Sequence, residues 1–445
     1  MSHQTEKTRE LVLWFFLPIL FLLLFVRLIY FQITEADFSF DKIDNRISQS
    51  KVIKSSRGRI VDRNDRILAE DIIFYDIGID LNYFSYKPEE IKFISDLLNI
   101  EEQNLRERSS NQRLKFIQIS KKVNREKVEA LKKEKIQGLV FDEKYYRNYP
   151  EGEAFSQLIG ITDINNDGLQ GMELSFQKSL DSSDGRIDLK RDGNGKVIEE
   201  VIVPKKDGDL IKLSIDSDYQ FIVFDELKRA VIENNASTAS AIMIDLDSEE
   251  ILAITNYPSF NPNDRKSLSD ISLVTNKASI SLLEPGSVLK PLSISLALDD
   301  ELINEDTLID TNPGWVEFED YRTEDFKNYG ILSVSEVIAK SSNVGTVKIC
   351  SQMNKSRVIS GIRSFGIGEY FSEMFLNHRE GFLPGEQNIS LRGLVSLCYG
   401  YGLQTTLLHI AKAYTGILND GIEANLKIIS SESNEIRRRI LKKLS

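Results

Sequence analysis

The chain has 445 residues, 41% of them hydrophobic, enough for two or three domains with cores of their own and too much for a disordered tail. Its formal charge of -12 repels phosphate backbones and anionic lipid, which sets nucleic acid aside as a partner.

The first element is apolar. Residues 11–33, "LVLWFFLPILFLLLFVRLIYFQI", are interrupted only by Pro18, Arg27 and Gln32 and are long enough to cross a bilayer as one helix. Pro18 is tolerated where neighbouring groups satisfy the freed backbone, and Arg27 lies near one end, where its side chain snorkels toward the headgroups. A cleaved signal peptide is the alternative, but the run exceeds an ordinary h-region and no small-x-small site follows it. Lys7 and Arg9 precede the span while Glu35, Asp37 and Asp41 follow it, so the N-terminus is expected in the cytoplasm and the bulk of the chain outside it. No second span of comparable length occurs, and a single crossing is expected.

From about Phe38 to Leu213 the chain is charged, turn-rich and short-stranded. Val52, Ile60 and Val61 suggest strand, and Arg63-Asn64-Asp65-Arg66 reads as a tight turn in which Asn and Asp tolerate positive φ. Residues 88–131 read as mainly helical, with Ile91, Ile94, Leu97 and Leu98 at helical spacing. "RNYPEG" and "NNDGLQGMELSF" then punctuate loops and short strands. This half shows no catalytic constellation and is expected to be an extended binding or spacing module.

The pattern changes between Ile211 and Asp218. In "DSDYQFIVFDELKRAVIENN" either Asp216 or Asp218 is available as a helix N-cap, and Phe221, Phe224, Leu227 and Val231 form one stripe. "ASAIMIDLDSEEILAITNYP" reads as a hairpin of Ala241 to Ile244 with Ile251 to Ile254, and a helix followed by an antiparallel hairpin opens an α+β domain. Cys350 and Cys398 ("VKICSQ", "SLCYGYG") lie in apolar, helical-looking context. They could pair in an oxidising compartment, but buried free thiols are the expectation. His3, His378 and His409 are the only histidines, none with a His or Cys at ligand spacing, so neither a zinc site nor another cofactor is expected.

Within that domain, "EPGSVLKP" bends at Pro285 and Gly286 and places Ser287 at the start of a helix expected to run through Leu298. Lys290, three residues on, shares its face. A serine hydroxyl needs a base, and a lysine whose pKa is lowered by burial supplies one, while the helix N-terminus favours a nearby oxyanion. Ser-x-x-Lys also occurs at Ser48 to Lys51 and Ser175 to Lys178, so context must select this copy. The context is "SVSEVIAKSSNVGTVKI": Ser333 and Glu336 form a capping box, the helix runs to Lys340, and "SSNVG" interrupts it. Ser341 could relay a proton to and from Lys290, and Asn343 could orient an amide. The alternative reading of this motif is a helix-ending loop, and Ser-x-Asn also occurs at Ser109 to Asn111 and Ser259 to Asn261.

These residues resemble the class B penicillin-binding proteins, most of all the division-specific peptidoglycan transpeptidase of the FtsI type, in which Ser-x-x-Lys and Ser-x-Asn are two of three active-site boxes. The likeness extends in order through "RGRIVDRNDRILA", "RNYPEG", "GLQGME", "NYPSFNPN", "EPGSVLKP", "NYGILSVSEVIAKSSNVG" and "GYGLQTTLLHIAKAY". Asp65 stands where the family has Gly, and "TTLLHIA" departs from the family's usual Pro and Gln. The family's third box, Lys-Thr/Ser-Gly, is absent, and "YTGI" at Tyr414 lacks the lysine and falls inside a helical stretch. By the family's order that box would lie on a strand beyond where this chain stops, so the penicillin-binding domain is expected to be incomplete, with ladder groups of its sheet uncovered.

The resemblance implies an α+β chain in three parts: a tail and anchor over 1–36, an elongated β-rich pedestal or dimerisation-type module over 37–213, and a partial transpeptidase domain over 214–445. It implies a D,D-transpeptidase in septal wall synthesis that passes through an acyl-enzyme on Ser287 and binds penicillin. Lys290 would be the base, Ser341 the relay and Asn343 the substrate orienter. The implied partners are peptidoglycan stem peptides, β-lactams, a membrane-embedded glycan polymerase and other division proteins. The implied location is the inner membrane, with the bulk periplasmic. The alternatives are a catalytically inactive scaffold of the division complex, or a truncated product lacking the third box.

Overall fold

The structure, a computed structural model, describes residues 2–30, 48–85, 87–110, 114–191, 197–264, 270–318, 321–370, 378–430 and 439–442. Two compact units divide it: Met1–Ser55 with Ser182–Asp207, and Ser56–Asp181 with Gly208–Ser445.

The first unit begins with one continuous helix, Ser2–Tyr30, which Pro18 does not end. Trp14, Phe16 and the large apolar side chains from Ile19 to Tyr30 are exposed. Counted over the described residues, no helix is long and apolar enough to cross a membrane. The end of the apolar run and its acidic flank lie outside the described residues. The same unit holds an antiparallel sheet in which Gly185–Arg191 lies between Ser48–Ile53 and Val197–Val203, with Val52 opposite Arg186 and Asp188 opposite Val201. Its first turn is tied by Asp184, which accepts from the Ser55 amide at 2.8 Å and pairs with Lys54 at 2.7 Å.

The second unit is built first around strand Ile67–Asp80. It pairs along its length with Leu139–Asn148, through its second half with Phe116–Val123, and at its start with Ile60–Val61, which runs parallel to Ile211–Lys212. The expected turn before it is present: Asp65 has φ 65°, and Asp62 Oδ1 accepts from the amides of Asn64 and Arg66 at 2.8 Å each. Residues 88–131 differ from the expectation. Pro88–Leu98 and Glu102–Ser109 are helices and Arg125–Lys133 a third, but Phe116–Val123 between them is a strand. Ile117 and Ile119 alternate with polar neighbours and are buried, a period of two that the flanking charges conceal. They pack with Ile91, Ile94 and Leu98 of the first helix.

Beside this layer is a buried ion cluster. Glu173 takes Arg57 Nε at 2.7 Å on one oxygen and Arg147 Nε at 2.6 Å on the other. Arg147 also reaches Asp71 at 3.2 Å, and Arg147 and Arg57 donate to the carbonyls of Gly58 and Glu173. "RGRIV", "RNYPEG" and "GLQGME" are thus parts of one internal joint.

The rest of the unit is the α+β part. Asp216 caps helix Ser217–Glu233, accepting from the amides of Asp218 and Tyr219, and the helix packs on the hairpin Ala239–Ile244 with Ile251–Tyr257. Residues 251–256 are buried, whereas the partner strand is half-buried throughout. Residues 424–430 return beside the hairpin: the Ile251 amide donates to the Lys427 carbonyl and the Ser214 amide to that of Ile428, both at 2.9 Å. Ala424, Leu426 and Ile428 are buried there, so the Ile251 end of the hairpin is covered, whereas the outer edge of Ala239–Ile244 pairs with no strand among the described residues, in keeping with the expectation. A second core gathers helices Lys290–Asp299, Asn343–Cys350, Lys355–Ser364, Leu391–Cys398 and Leu407–Leu418. Cys350 and Cys398, expected as free thiols, form a disulfide. Their helical context shows that both are buried but not that two helix ends meet.

Candidate active site

Gly286, at φ 57°, lets the chain turn sharply, and residues Gly286–Leu289 form a single 3₁₀ turn before the α-helix Lys290–Asp299. The expected helix therefore begins as a tighter turn, with Pro291 in the first α-turn, where a missing amide costs nothing. Ser287 is exposed, and its hydroxyl has no hydrogen-bond partner among the described residues. The turn is held from three sides. The Gly286 amide donates to the Gly400 carbonyl at 3.0 Å, the Gly402 amide to the Glu284 carboxylate at 2.8 Å, and the Tyr414 hydroxyl to the Val288 carbonyl at 2.7 Å.

Lys290 points inward and is only 2% exposed. Its amine donates to the Ser341 hydroxyl at 2.9 Å and to the Ser341 carbonyl at 2.6 Å. Burial pushes its pKa down to about 8, opposed in part by the negative charge of Asp325. At neutral pH roughly one amine in ten is then unprotonated and able to accept a proton.

Ser341 presents both oxygens because of how its helix ends. Ser333 and Glu336 form the expected capping box, helix Val334–Ala339 follows, and Ser341 takes the left-handed conformation at φ 55°. The amides of Ser341 and Ser342 close back on Ile338 and Val337. Ser342 then caps helix Asn343–Cys350, accepting from the Gly345 amide at 2.8 Å. A β-carbon on Gly345 would lie 2.6 Å from the Val337 side chain, so the "SSNVG" glycine lets these two helices approach. Asn343, half-buried, donates through Nδ2 to the Glu324 carbonyl at 2.9 Å.

The structure thus joins Lys290 to Ser341, places Asn343 one residue beyond Ser342, and leaves Ser287 one turn before Lys290 on the outer surface. Sequence reasoning missed Asp325. Its carboxylate accepts from the Ser342 hydroxyl at 2.7 Å and the Val344 amide at 3.0 Å, bracing the loop from behind. Nothing in "TEDFKNYG" marks that aspartate above the chain's many others. The arrangement is a buried, partly neutral amine linked to a hydroxyl beneath a turn that exposes another hydroxyl, which is suited to activating a serine nucleophile.

Comparisons with known proteins concern the domains that carry these residues. Residues 239–445 match the penicillin binding protein transpeptidase domain and residues 52–213 the penicillin-binding protein dimerisation domain. The peptidoglycan D,D-transpeptidase FtsI of Buchnera aphidicola subsp. Schizaphis graminum is 32% identical over 95% of this chain and 75% of its own length. FtsI of Escherichia coli K12 is 30% identical over 90% of this chain and 69% of its own. Among solved structures, penicillin binding protein 2X from Streptococcus thermophilus shares the fold at a TM-score of 0.71 and 21% identity, covering 86% of this chain and 61% of that one. A peptidoglycan synthetase from Bifidobacterium adolescentis does so at 0.68 and 20%, covering 88% and 79%. With a dimerisation domain followed by a transpeptidase domain, and relatives of this identity along nearly its whole length, the chain belongs to the penicillin-binding proteins of the FtsI D,D-transpeptidase type.

Proposed function

We propose that this protein is a serine D,D-transpeptidase that cross-links peptidoglycan stem peptides during septal wall synthesis. The observation that carries the reading is the buried Lys290 amine bonded to Ser341, one turn after an exposed Ser287. Ser287 Oγ attacks the penultimate D-Ala carbonyl and its proton passes to Lys290. The tetrahedral intermediate collapses, the terminal D-Ala leaves with a proton on its nitrogen, and an ester on Ser287 remains. An amine from a neighbouring strand attacks that ester, and Ser287 regains its proton through Lys290 and Ser341. Asn343, with its amide fixed by Glu324, orients the substrate amide. A β-lactam acylates the same hydroxyl.

The anchor and division of labour follow from the sequence. Residues 1–36 would hold the protein in the inner membrane, 37–213 would be a pedestal that recruits the glycan polymerase and other division proteins, and 214–445 would carry the chemistry. Support comes from the apolar run and from the exposed apolar surface of helix Ser2–Tyr30.

No Lys-Thr-Gly or Lys-Ser-Gly triplet occurs in the sequence. Losing one oxyanion donor typically costs about a hundred- to a thousandfold in rate. Fluorescent penicillin is therefore expected to label the 445-residue chain only weakly, and to label it strongly once a segment carrying the box is appended, with Ser287→Ala blank in both. Failure of the extended chain to label would leave the non-catalytic scaffold as the reading.

A further inference from the structure

We propose that the Cys350–Cys398 disulfide positions the acylation site by locking the helix that begins at Asn343 to the glycine turn that holds the backbone beside Ser287. The proposal rests on Ser287 being the nucleophile.

The connections form a closed path. Cys350 is the last residue of helix Asn343–Cys350, and Cys398 the last of Leu391–Cys398, with their Cα atoms 6.3 Å apart. Two residues past Cys398, the Gly400 carbonyl receives the Gly286 amide at 3.0 Å. Gly402 then donates to Glu284, and Leu283 and Thr405 exchange both backbone bonds, at 2.9 and 3.0 Å. A β-carbon on Gly400 would lie 2.0 Å from the Gly286 carbonyl oxygen, so this contact has no room to slip. At the far end of the path, helix Asn343–Cys350 starts at the Ser342 cap and follows Ser341, which holds Lys290. The covalent bond therefore links the segment that shapes the Ser287 turn to the segment that holds its base.

Without that bond the two helix ends meet through side chains, Ile349, Met353, Leu394 and Leu397 of the main core among them. The hydroxyls of Tyr321 and Tyr399 approach to 2.9 Å nearby, and Val347, Val395 and Tyr399 form a small cluster of their own, apart from the main core. Beside them is a cavity of about 360 Å³ lined by Phe318, Val347, Met353, Leu394 and both cysteines. The empty space beside the crosslink gives the helix ends room to shift once the bond is cut.

Reduction by a dithiol transfers two electrons and two protons to the cystine, leaving two thiols here and a cyclic disulfide on the reductant. The test uses the full chain in detergent, extended by a Lys-Thr-Gly segment, before and after dithiothreitol, with alkylation of the thiols produced. Thiol titration of protein isolated without reductant is expected to find none; free thiols at Cys350 and Cys398 would overturn the proposal. On reduction, hydrogen exchange is expected to rise at the Gly286 and Gly402 amides and along residues 343–350, with helix Pro88–Leu98 unchanged. The acylation rate constant is expected to fall roughly ten- to a hundredfold, as for a small misplacement of a reacting group. The affinity of the initial β-lactam complex should be retained, and reoxidation should restore the rate. Unchanged exchange at those amides would overturn the clamp whatever the labelling shows. Absence of labelling in both states with raised exchange on reduction would uphold the clamp and overturn Ser287 as nucleophile. The double variant Cys350→Ala/Cys398→Ala should reproduce the reduced state; wild-type exchange and rate in that variant would count against the proposal.

Discussion

Lys290 is the residue on which the chemistry turns, because a lysine at its ordinary pKa would be protonated almost throughout the neutral range. Burial lowers its pKa to about 8, and the Asp325 carboxylate pulls it back upward. Acylation through a neutral amine should therefore rise with pH through a limb centred near 8. Asp325→Asn removes the negative charge but keeps the shape, so the limb is expected to move to lower pH while the plateau rate falls as the Ser342 contact weakens. A pH profile of acylation, measured on the variant and the parent, checks this. A plateau that falls with the limb unmoved would make Asp325 a brace alone. The turns and helices that carry Ser287, Lys290, Ser341 and Asn343 were legible because helical spacing and a capping box have local causes. Asp325 was not, since its partners Ser342 and Val344 come from a segment that only the fold brings to it.

At the scale of elements, the ion cluster shows what the motifs of the first half are for. Arg57, Arg147, Glu173 and Asp71 have side chains no more than 2% exposed, so each charge depends on the others for its solvation. Arg147→Ala leaves Glu173 with Arg57 alone and Asp71 with only the Arg57 amide and the Asn166 side-chain amide, and removing one partner from a buried pair typically costs about 3–5 kcal/mol. The expected result is a lower urea midpoint for the purified chain, with Arg147→Lys intermediate because an ammonium cannot bond both carboxylates and Gly58 in the same fixed geometry. A midpoint like the parent's would mean that the cluster is dispensable to folding and that the arginines serve a partner. The sequence offered these residues as turn and strand markers. Their convergence, like the strand Phe116–Val123 hidden among charges, depends on which segments pair with Ile67–Asp80, and no local pattern states that. The hairpin and the helix Ser217–Glu233 were legible because a period of two, a period of 3.6 and an Asp cap are each written within twenty residues.

For the molecule as a whole, the proposed placement outside the cytoplasm bears on two features. One is the helix Ser2–Tyr30, 29 residues and about 43 Å long at 1.5 Å per residue, which displays Trp14, Phe16 and a run of large apolar side chains to its surroundings. Such a surface is stable in hydrocarbon and costly in water. The other is the Cys350–Cys398 disulfide, a bond that persists in oxidising compartments and is rare in the cytosol. No described helix is by itself long and apolar enough to cross a membrane, so the proposed anchoring is a matter for a topology experiment. Protease added to intact spheroplasts is then expected to digest everything beyond about residue 35, leaving only the short anchored piece, as a single spanning helix requires. Thiol alkylation of unreduced cell extract is expected to miss Cys350 and Cys398. Protection of the bulk of the chain from external protease, together with two alkylated thiols, would place it on the cytoplasmic side, where no stem peptide of the assembled wall could reach Ser287.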